Sequence, residues 1–508
     1  MKKESNIYVL NPNYRLLDDI KRVLLIAVDT EKAVPNIEYS TDFYTIIHPL
    51  HAQILTFFDG KHTYKEVIEQ LKLYLKIEEV DIKEFVDRLI ENKPFKLLSQ
   101  GHIINYPLNV LVPLANKALP IITYSPSYFP LIPKVDLVTQ RLYKPKYFSI
   151  ILTMQCYTNC IYCYADRRTK NYIPLPTTRI IELIDEMIAL DAIKIDFDGG
   201  EILLHPDSLK ILSYTISKGY MPYISTKCPL NKEKVQALKH IGINKIQISL
   251  DSSDINTLHS LLGVSENYLN QILDTISYCE SENIEVVIHD ILTSYNSSKE
   301  KVEALIKRLL PFKNIKEINI DPVGYSLFKN SNDFSKIRIS ERQLIEIQNM
   351  VKEKQSIYVN HQKNVKVKDT KMLCRIYNNP QTKQTEYVQR PKCEGNVSAL
   401  FILPDGKVTI CEELYWHPQF ILGDVNTHSI MEVWNSSQAM YLTSLSQKDI
   451  SENSACKKCT VFNACRGINI NRTCWKEVQY FYGKNNWDYP QPSCPYAPPA
   501  LTDCLMPE

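Results

Sequence analysis

Glycine is scarce in this chain: 13 of 508 residues, where average usage of about 7% would give about 36. That excludes collagen-like and glycine-rich low-complexity architectures, and it gives weight to any glycine that stands in a motif. An excess of charge of either sign is also missing. Lys plus Arg number 59 and Asp plus Glu 57, a formal net charge of +2, which is too balanced for a nucleic-acid backbone to be the expected partner. No uninterrupted apolar run reaches the roughly 20 residues of a membrane span. The most tempting stretch, Leu108 to Pro133, contains Asn116 and Lys117 and is interrupted at Pro113, Pro120, Pro126 and Pro130. The opening Met1-Lys2-Lys3-Glu4 leads through Ile7–Leu10 into polar sequence, without the apolar core of an export signal. A reducing, cytoplasmic compartment is therefore expected, where grouped cysteines hold metal more often than they form disulfides.

What remains is an ordinary globular composition, 44% hydrophobic and 23% charged, in a length of about three domains at roughly 150 residues each. In the first hundred residues, Ile7–Leu10 and Val23–Val28 suggest strands, followed by helices over about 48–58, 63–77 and 81–92. Thr63 with Glu66 and Asp81 with Glu84 have the spacing of a capping box. Asp59-Gly60 reads as the turn that ends the first helix, and His48 and His51 read as helix-start residues rather than metal ligands. Two strands and three helices fit a winged-helix-like unit over 1–104, and a Pro- and Tyr-rich connector over 105–145 follows.

From Tyr147 the pattern changes. Apolar runs at 148–153, 193–197, 222–225, 245–250, 285–288 and 317–320 alternate with helix-length amphipathic stretches such as Ile180–Met187. Six such units predict parallel strands with right-handed crossovers. The reactive-looking residues fall just after strands, which favours a partial (β/α)6 TIM-like barrel over 146–330. The fold class expected is thus α/β. A charged bridging region over 331–372, helical near 341–353, leads to a cysteine-rich segment over 373–508. A segment that buries few apolar residues usually needs metal to fold.

Directly after the first barrel strand stands Cys156-Tyr157-Thr158-Asn159-Cys160-Ile161-Tyr162-Cys163. A structural zinc site takes four closed ligands, whereas three soft thiolates on one loop suit a [4Fe–4S] cluster with one iron left open. A zinc loop completed by a remote residue is the alternative.

The spacing of Cys156, Cys160 and Cys163, with Tyr162 before the last, resembles the signature of the radical S-adenosylmethionine (SAM) superfamily, over about 146–330. Asp198-Gly199-Gly200-Glu201 at the second strand end is similar to the family's GGE motif, which binds the methionine amino group of SAM. Adjacent glycines admit close backbone approach, and Glu201 can pair with an ammonium. Ser225-Thr226 after the third strand and Ser249-Leu250-Asp251 after the fourth resemble family positions that hydrogen-bond ribose and carboxylate. One departure is Leu262-Gly263, where relatives often carry Arg before the Gly. The resemblance implies SAM as cofactor. The open iron chelates it, one electron cleaves its sulfonium bond, and the resulting 5′-deoxyadenosyl radical abstracts hydrogen from an unactivated C–H bond. The protein's own tasks are then positioning and shielding.

The later cysteines are Cys393, Cys411, Cys456, Cys459, Cys465, Cys474, Cys494 and Cys504. Asp405-Gly406 between apolar runs suggests that Cys393 and Cys411 flank a hairpin. The pattern resembles the SPASM extension of radical SAM peptide-modifying enzymes, supported by Gly423-Asp424-Val425 and Met431–Trp434. It departs after Cys465, where Asn469 occupies the expected ligand position and Cys474 is the candidate. By this resemblance Cys456, Cys459, Cys465 and Cys494 hold one auxiliary [4Fe–4S] cluster. Cys393, Cys411 and Cys474 hold a second, its fourth site open, filled by Cys374 or filled by substrate. Cys504 is the alternative to Cys494, and two zinc ribbons are the non-enzymatic alternative. Cys279 is expected to be a buried hydrophobe, and Cys228 to lie near the radical.

His48 to Gly60, with Thr63 and Val67, resembles the small winged-helix domain that binds precursor peptides in ribosomal natural-product biosynthesis, by adding a leader strand to a sheet edge. Taken together, the resemblances imply a maturase of a ribosomal precursor peptide that forms an oxidative crosslink. A one-electron donor such as flavodoxin or ferredoxin would serve it, and no nucleic acid or membrane span is expected. Peptide epimerisation and sulfatase-type protein maturation are the alternatives.

Overall fold

The structure is a computed structural model that describes residues 3–28, 44–93, 95–114, 121–165, 172–328, 331–368, 383, 385, 387–388, 392–468 and 473–499. The chain divides into two compact units, one ending at Lys144 and one beginning at Pro145.

The first unit is richer in strand than its sequence suggested. Among the described residues eight strands form: β1 (Ile7–Leu10), β2 (Tyr14–Asp18), β3 (Val23–Ala27), β4 (Tyr44–Ile47), β5 (Asp59–Thr63), β6 (Phe95–Ser99), β7 (His102–Tyr106) and β8 (Leu111–Pro113). They build three small antiparallel sheets, ordered β5-β1-β8, β2-β3-β4 and β6-β7. Strands this short give too few alternations to stand out from loops. The three expected helices are present as α1 (Pro49–Thr56), α2 (Tyr64–Leu75) and α3 (Glu79–Ile90). His48 caps α1, its Nδ1 accepting the Leu50 N–H at 3.1 Å. Thr63 and Glu66 close the expected capping box on α2. The second expected box does not form: α3 starts earlier, behind Glu78, and Asp81 lies in its first turn, where a negative charge suits the helix dipole. Asp59-Gly60 opens β5 rather than ending α1, with Gly60 at φ +80°. Leu55, Val67, Leu71 and Val86 from the helices pack with Tyr14, Leu16 and Leu25 from the strands in a core of this unit's own residues.

In the second unit five of the six expected runs become strands and the third, 222–225, gives only Ser225 to one: β9 (Tyr147–Thr153), β10 (Lys194–Gly199), β11 (Ser225–Thr226), β12 (Lys245–Ser249), β13 (Glu285–Leu292) and β14 (Ile315–Pro322). Strand β11 is the shortest. Pro222, inside the expected run, has no N–H to give to a ladder. Between the strands lie α4 (Thr177–Ala189), α5 (Ser208–Ser217), α6 (Lys232–His240), α7 (Ile255–Leu262), α8 (Tyr268–Ser281) and α9 (Lys299–Leu309). Their apolar stripes face the strands: Ile180, Leu183, Ile184 and Met187 are all buried on α4, and Val302, Leu305, Ile306 and Leu309 on α9. Each such side chain contributes about 1.5–3 kcal/mol by leaving water.

All six strands pair in parallel, β10 with β9 and β11 through β14 in chain order. The set divides into two sheets between β10 and β11. A further strand, β15 (Asn364–Val367), joins β14 in parallel within the charged bridging region, where no strand was expected. That region also forms α10 (Ser331–Ile337), α11 (Glu341–Glu353) and α12 (Gln355–Asn360). The expected hairpin is β16 (Ala399–Ile402) and β17 (Lys407–Thr409), extended by β18 (Ile421–Asp424). Strand β16 also pairs in parallel with β9, Ala399 opposite Tyr147 and Ile402 opposite Ile150. One hydrophobic core runs from Phe148 and Ile248 to Phe420 and Trp434, so the cysteine-rich segment shares its interior with the barrel strands. Among the described residues no helix is long and apolar enough to cross a membrane.

Candidate active site

The loop after β9 is held by the end of α7. Asn159 N–H donates to the Leu262 carbonyl at 2.7 Å and Ile161 N–H to the Leu261 carbonyl at 2.9 Å, so helix-end acceptors are satisfied by the cysteine loop. Gly263 closes α7 in the left-handed conformation, φ +67°. Leu262-Gly263, conspicuous in the sequence for its missing arginine, thus serves the loop through its backbone. Buried Thr158 places its hydroxyl 3.1 Å from Cys160 Sγ and 3.6 Å from Cys156 Sγ. Burial pushes the Cys160 thiol up, while Lys227 and Thr158 pull it down.

Strand β10 delivers the two glycines onto this loop. A Cβ at Gly199 would lie 2.3 Å from the Thr153 carbonyl oxygen, and one at Gly200 2.2 Å from that of Gln155. Both distances are below any real contact, so the backbone itself fills the space a side chain would need. The Gly200 carbonyl lies 3.5 Å from Cys156 Sγ. Glu201 is 3% exposed. Its carboxylate accepts the Thr226 hydroxyl at 2.7 Å and the N–H groups of Lys227 and Leu203 at 3.2 and 3.3 Å. Burial raises its pKa, and those hydrogen bonds oppose the rise.

Ser225, Thr226 and Ser249 line the same cavity as the three cysteines, Gly199, Gly200 and Glu201. Gln247 donates to Ser225 Oγ at 2.7 Å and accepts from the Tyr223 hydroxyl at 2.6 Å. Asp251 differs from its expected place as a ligand contact. It is 1% exposed and lies behind the cavity wall. Its carboxylate accepts Lys227 Nζ at 3.0 Å, the Ile291 N–H at 3.1 Å and the Tyr162 hydroxyl. A carboxylate so saturated is a hub that fixes its neighbours. Tyr162 still lines the cavity with its ring. Burial pulls the Lys227 ammonium down, but Asp251 and Cys160 outweigh it and keep it charged.

The cavity encloses about 510 Å³ at the carboxyl ends of the strands. Part of its lining comes from the cysteine-rich segment: Glu413, and Lys476 and Tyr480 from the helix Trp475–Tyr482. Lys476 Nζ and the Tyr480 hydroxyl both bond the Glu413 carboxylate. Lys227, His289, Glu413, Lys476 and Tyr480 were not anticipated. The available signal was position, since Lys227 directly follows Ser225-Thr226 and Glu413 and Lys476 each stand two residues after a cysteine.

The C-terminal thiols fall into two neighbourhoods. Burial raises Cys411 strongly, and Cys474 and Cys393 stand among the groups that raise it further. Burial pushes Cys494 up to about 11, with Cys456, Cys465 and Cys459 as its thiol neighbours. Gln447 Nε2 clamps the second group by donating to the Cys456 and Cys459 carbonyls at 3.1 and 2.8 Å. The Tyr387 hydroxyl lies 2.6 Å from Cys465 Sγ. None of the 12 described cysteines forms a disulfide. Among the described residues no three His, Cys, Asp or Glu side chains converge on one metal ion; ligands of a cuboidal cluster stand apart at its corners instead. Cys374, Asn469 and Cys504 lie outside the described residues. Cys279 is wholly buried on α8, as expected of a small hydrophobe. Cys228 is 8% exposed, with its thiol directed at the Pro229 carbonyl and not among the cavity's lining.

Two family models match the chain: the radical SAM superfamily over residues 150–309 and the SPASM iron–sulfur cluster-binding domain over 393–460. An uncharacterised protein of Methanocaldococcus jannaschii is 31% identical over 208 residues, which are 38% of this chain and 70% of the relative. The Fe-coproporphyrin III synthase of Methanosarcina barkeri is 26% identical over 147 residues, 28% of this chain and 36% of that protein. Among solved structures, Streptococcus suis SuiB bound to S-adenosylmethionine superposes with a TM-score of 0.59 at 14% identity, covering 96% of this chain and 98% of that one. SuiB bound to precursor peptide SuiA gives 0.56, at the same identity and coverage.

Proposed function

Because the chain belongs to the radical SAM superfamily, we propose that it uses SAM and iron–sulfur clusters to modify a ribosomally made precursor peptide, forming an oxidative crosslink. The observation that carries this reading is a single cavity. It is lined both by the Cys156, Cys160 and Cys163 loop and by Glu413, Lys476 and Tyr480, residues that adjoin the later thiols in sequence. When bound, the cluster and SAM supply a carbon-centred radical that abstracts hydrogen from the substrate.

The remaining tasks belong to the chain. Cys156, Cys160 and Cys163 hold the cluster, and Thr158 and Gly200 adjoin their sulfurs. Gly199, Gly200 and Glu201 receive the methionine end of SAM. Glu201 is pre-set for an ammonium by Thr226 and two backbone N–H groups. Ser225, Thr226, Ser249 and the Tyr162 ring face the rest of the cofactor, and Asp251 acts one step back as a positioning residue. Cys393, Cys411 and Cys474 hold one auxiliary [4Fe–4S] cluster. Cys456, Cys459, Cys465 and Cys494 hold the other, in keeping with the two thiol neighbourhoods. The thiols that line the cavity among the described residues are those three of the β9 loop; Cys228 is turned to a carbonyl, which favours crosslinking over epimerisation by a thiol hydrogen donor. Twelve described cysteines outside any disulfide suit a reducing, cytoplasmic setting and a one-electron donor such as flavodoxin or ferredoxin.

A peptide substrate is supported by the likeness, along nearly the whole chain, to a protein crystallised with its precursor peptide. The segment 1–104 of the first unit would bind the leader, and among the described residues β2 and β4 are edge strands of one of its sheets. Docking a leader there turns a weak encounter of the core peptide into an intramolecular one. Anaerobic reconstitution tests the proposal. The expected outcome is roughly 12 iron per chain, four for each cluster, and SAM cleavage stimulated by a peptide that loses mass as a crosslink forms. A colourless, zinc-loaded protein without SAM cleavage would overturn it.

A further inference from the structure

We propose that Arg466 donates hydrogen bonds to the auxiliary cluster of Cys456, Cys459, Cys465 and Cys494 and sets its reduction potential, an inference that rests on the ligand assignment proposed above. Arg466 belongs to the π-helical turn Asn463–Ile468 and is 4% exposed. Its guanidinium carbon lies 5.0 Å from the Trp475 ring centre. One terminal nitrogen donates to the Tyr489 carbonyl at 2.6 Å and lies 3.5 Å from the Asp488 carbonyl and 3.9 Å from Cys456 Sγ. The other terminal nitrogen is buried and has no partner among the described residues.

Among the described residues the oxygens that receive this cation are backbone carbonyls rather than carboxylates. A guanidinium taken out of water without a counter-anion is expensive, and a buried N–H without an acceptor adds to the cost. Both costs disappear if an anion with acceptor sulfurs occupies the space among the four thiols. A [4Fe–4S] centre on four thiolates is such an anion. Two other donors border the group: the Tyr387 hydroxyl at 2.6 Å from Cys465 Sγ, and the hydroxyl of Ser493, next in sequence to Cys494, 1% exposed and unpartnered among the described residues. N–H and O–H groups aimed at cluster sulfurs stabilise the reduced form more than the oxidised one, because reduction adds an electron's charge to the same sulfurs. A positive charge held at that distance from Cys456 Sγ therefore raises the potential of this cluster.

The test uses the full chain, reconstituted anaerobically, with Cys156, Cys160 and Cys163 changed to Ala so that only auxiliary clusters contribute. Iron content is measured first. The clusters are then titrated with titanium(III) citrate through redox mediators and followed by electron paramagnetic resonance. Arg466→Gln is expected to make one cluster at least tenfold harder to reduce, about 59 mV downward for a one-electron couple, and to leave the other unmoved. Arg466→Lys, which keeps the charge, is expected to shift less. An unchanged potential in Arg466→Gln, an equal shift in both variants or a shift of the other cluster would each overturn the proposal. Should Arg466→Gln lose cluster iron, Arg466→Lys decides: retained iron with a smaller downward shift supports the proposal, and loss of iron there too overturns it in favour of a packing role. Absence of auxiliary iron in the Arg466 parent overturns the ligand assignment itself, and the iron assay reads that before any titration.

Discussion

Lys227 Nζ reaches both carboxylate oxygens of Asp251, at 3.0 and 3.2 Å, and the Asp251 side chain has no exposed surface. The pair joins the segment after β11 to the segment after β12, and the Tyr162 hydroxyl adds the cysteine loop to the same carboxylate. Lys227→Met is expected to leave Asp251 charged and uncompensated, at a cost of about 3–5 kcal/mol. Chemical denaturation of the apo chain measures this. The double variant Lys227→Met with Asp251→Leu should recover part of the loss, because it removes the stranded charge as well.

Gly200→Ala places a Cβ 2.2 Å from the Gln155 carbonyl oxygen, so the end of β10 and the loop after β9 must separate. The expected outcome is a chain that loads about four fewer iron atoms, with the later thiol groups unaffected. An iron assay paired with the spectrum of the remaining clusters checks it.

Glu201→Gln keeps shape and removes charge. Hydrogen bonds to charged groups contribute about 1.5–3 kcal/mol, so SAM should bind roughly 10- to 100-fold more weakly to the cluster-loaded variant. Calorimetric titration with SAM reads the change. Because burial raises the Glu201 pKa, neutralising it should raise the stability of the apo chain near neutral pH. That opposite response separates loss of binding from misfolding.

His51 sets an acid limit on the first unit. Its ring is stacked on Phe85 at 4.8 Å and bonded to the Tyr106 hydroxyl at 2.7 Å. Burial, with a smaller contribution from His48, lowers its pKa from 6.5 to about 4. Between those values the unfolded chain takes up the proton and the folded one does not, so stability falls as pH drops from about 6.5 to 4. The fall amounts to as much as about 3 kcal/mol. Calorimetry across that range should show the first unit melting progressively earlier, and His51→Phe should flatten the trend.

Much of the site was legible because its residues sit at strand ends in chain order. Cys156 to Cys163, Gly199 to Glu201, Ser225-Thr226 and Ser249 each follow a strong apolar run, and all reach one cavity. Asp251 shared that register, yet the structure sets it behind the wall, because burial beside Lys227 and Tyr162 depends on three-dimensional neighbours that spacing does not encode. Strand β15 was missed for a different reason. Asn364-Val365-Lys366-Val367 has only two apolar residues, and its partner is a strand some 45 residues earlier. The Asp81 cap failed because Glu79 and Val80 are equally good helical residues, so α3 starts a half-turn early. The role of Leu261 and Leu262 was invisible, since a backbone carbonyl leaves no mark on residue identity.

The parallel pairing of Ala399–Ile402 with Tyr147–Ile150 has a practical corollary for anyone cutting the gene. A fragment stopped near residue 372 would strip the first barrel strand of its outer neighbour and expose its amide edge and the apolar faces of Phe148 and Ile150, an invitation to self-association. Stand-alone catalytic halves are thus poor expression targets, and lineages that exchange the tail for another must supply a substitute strand at the same seam.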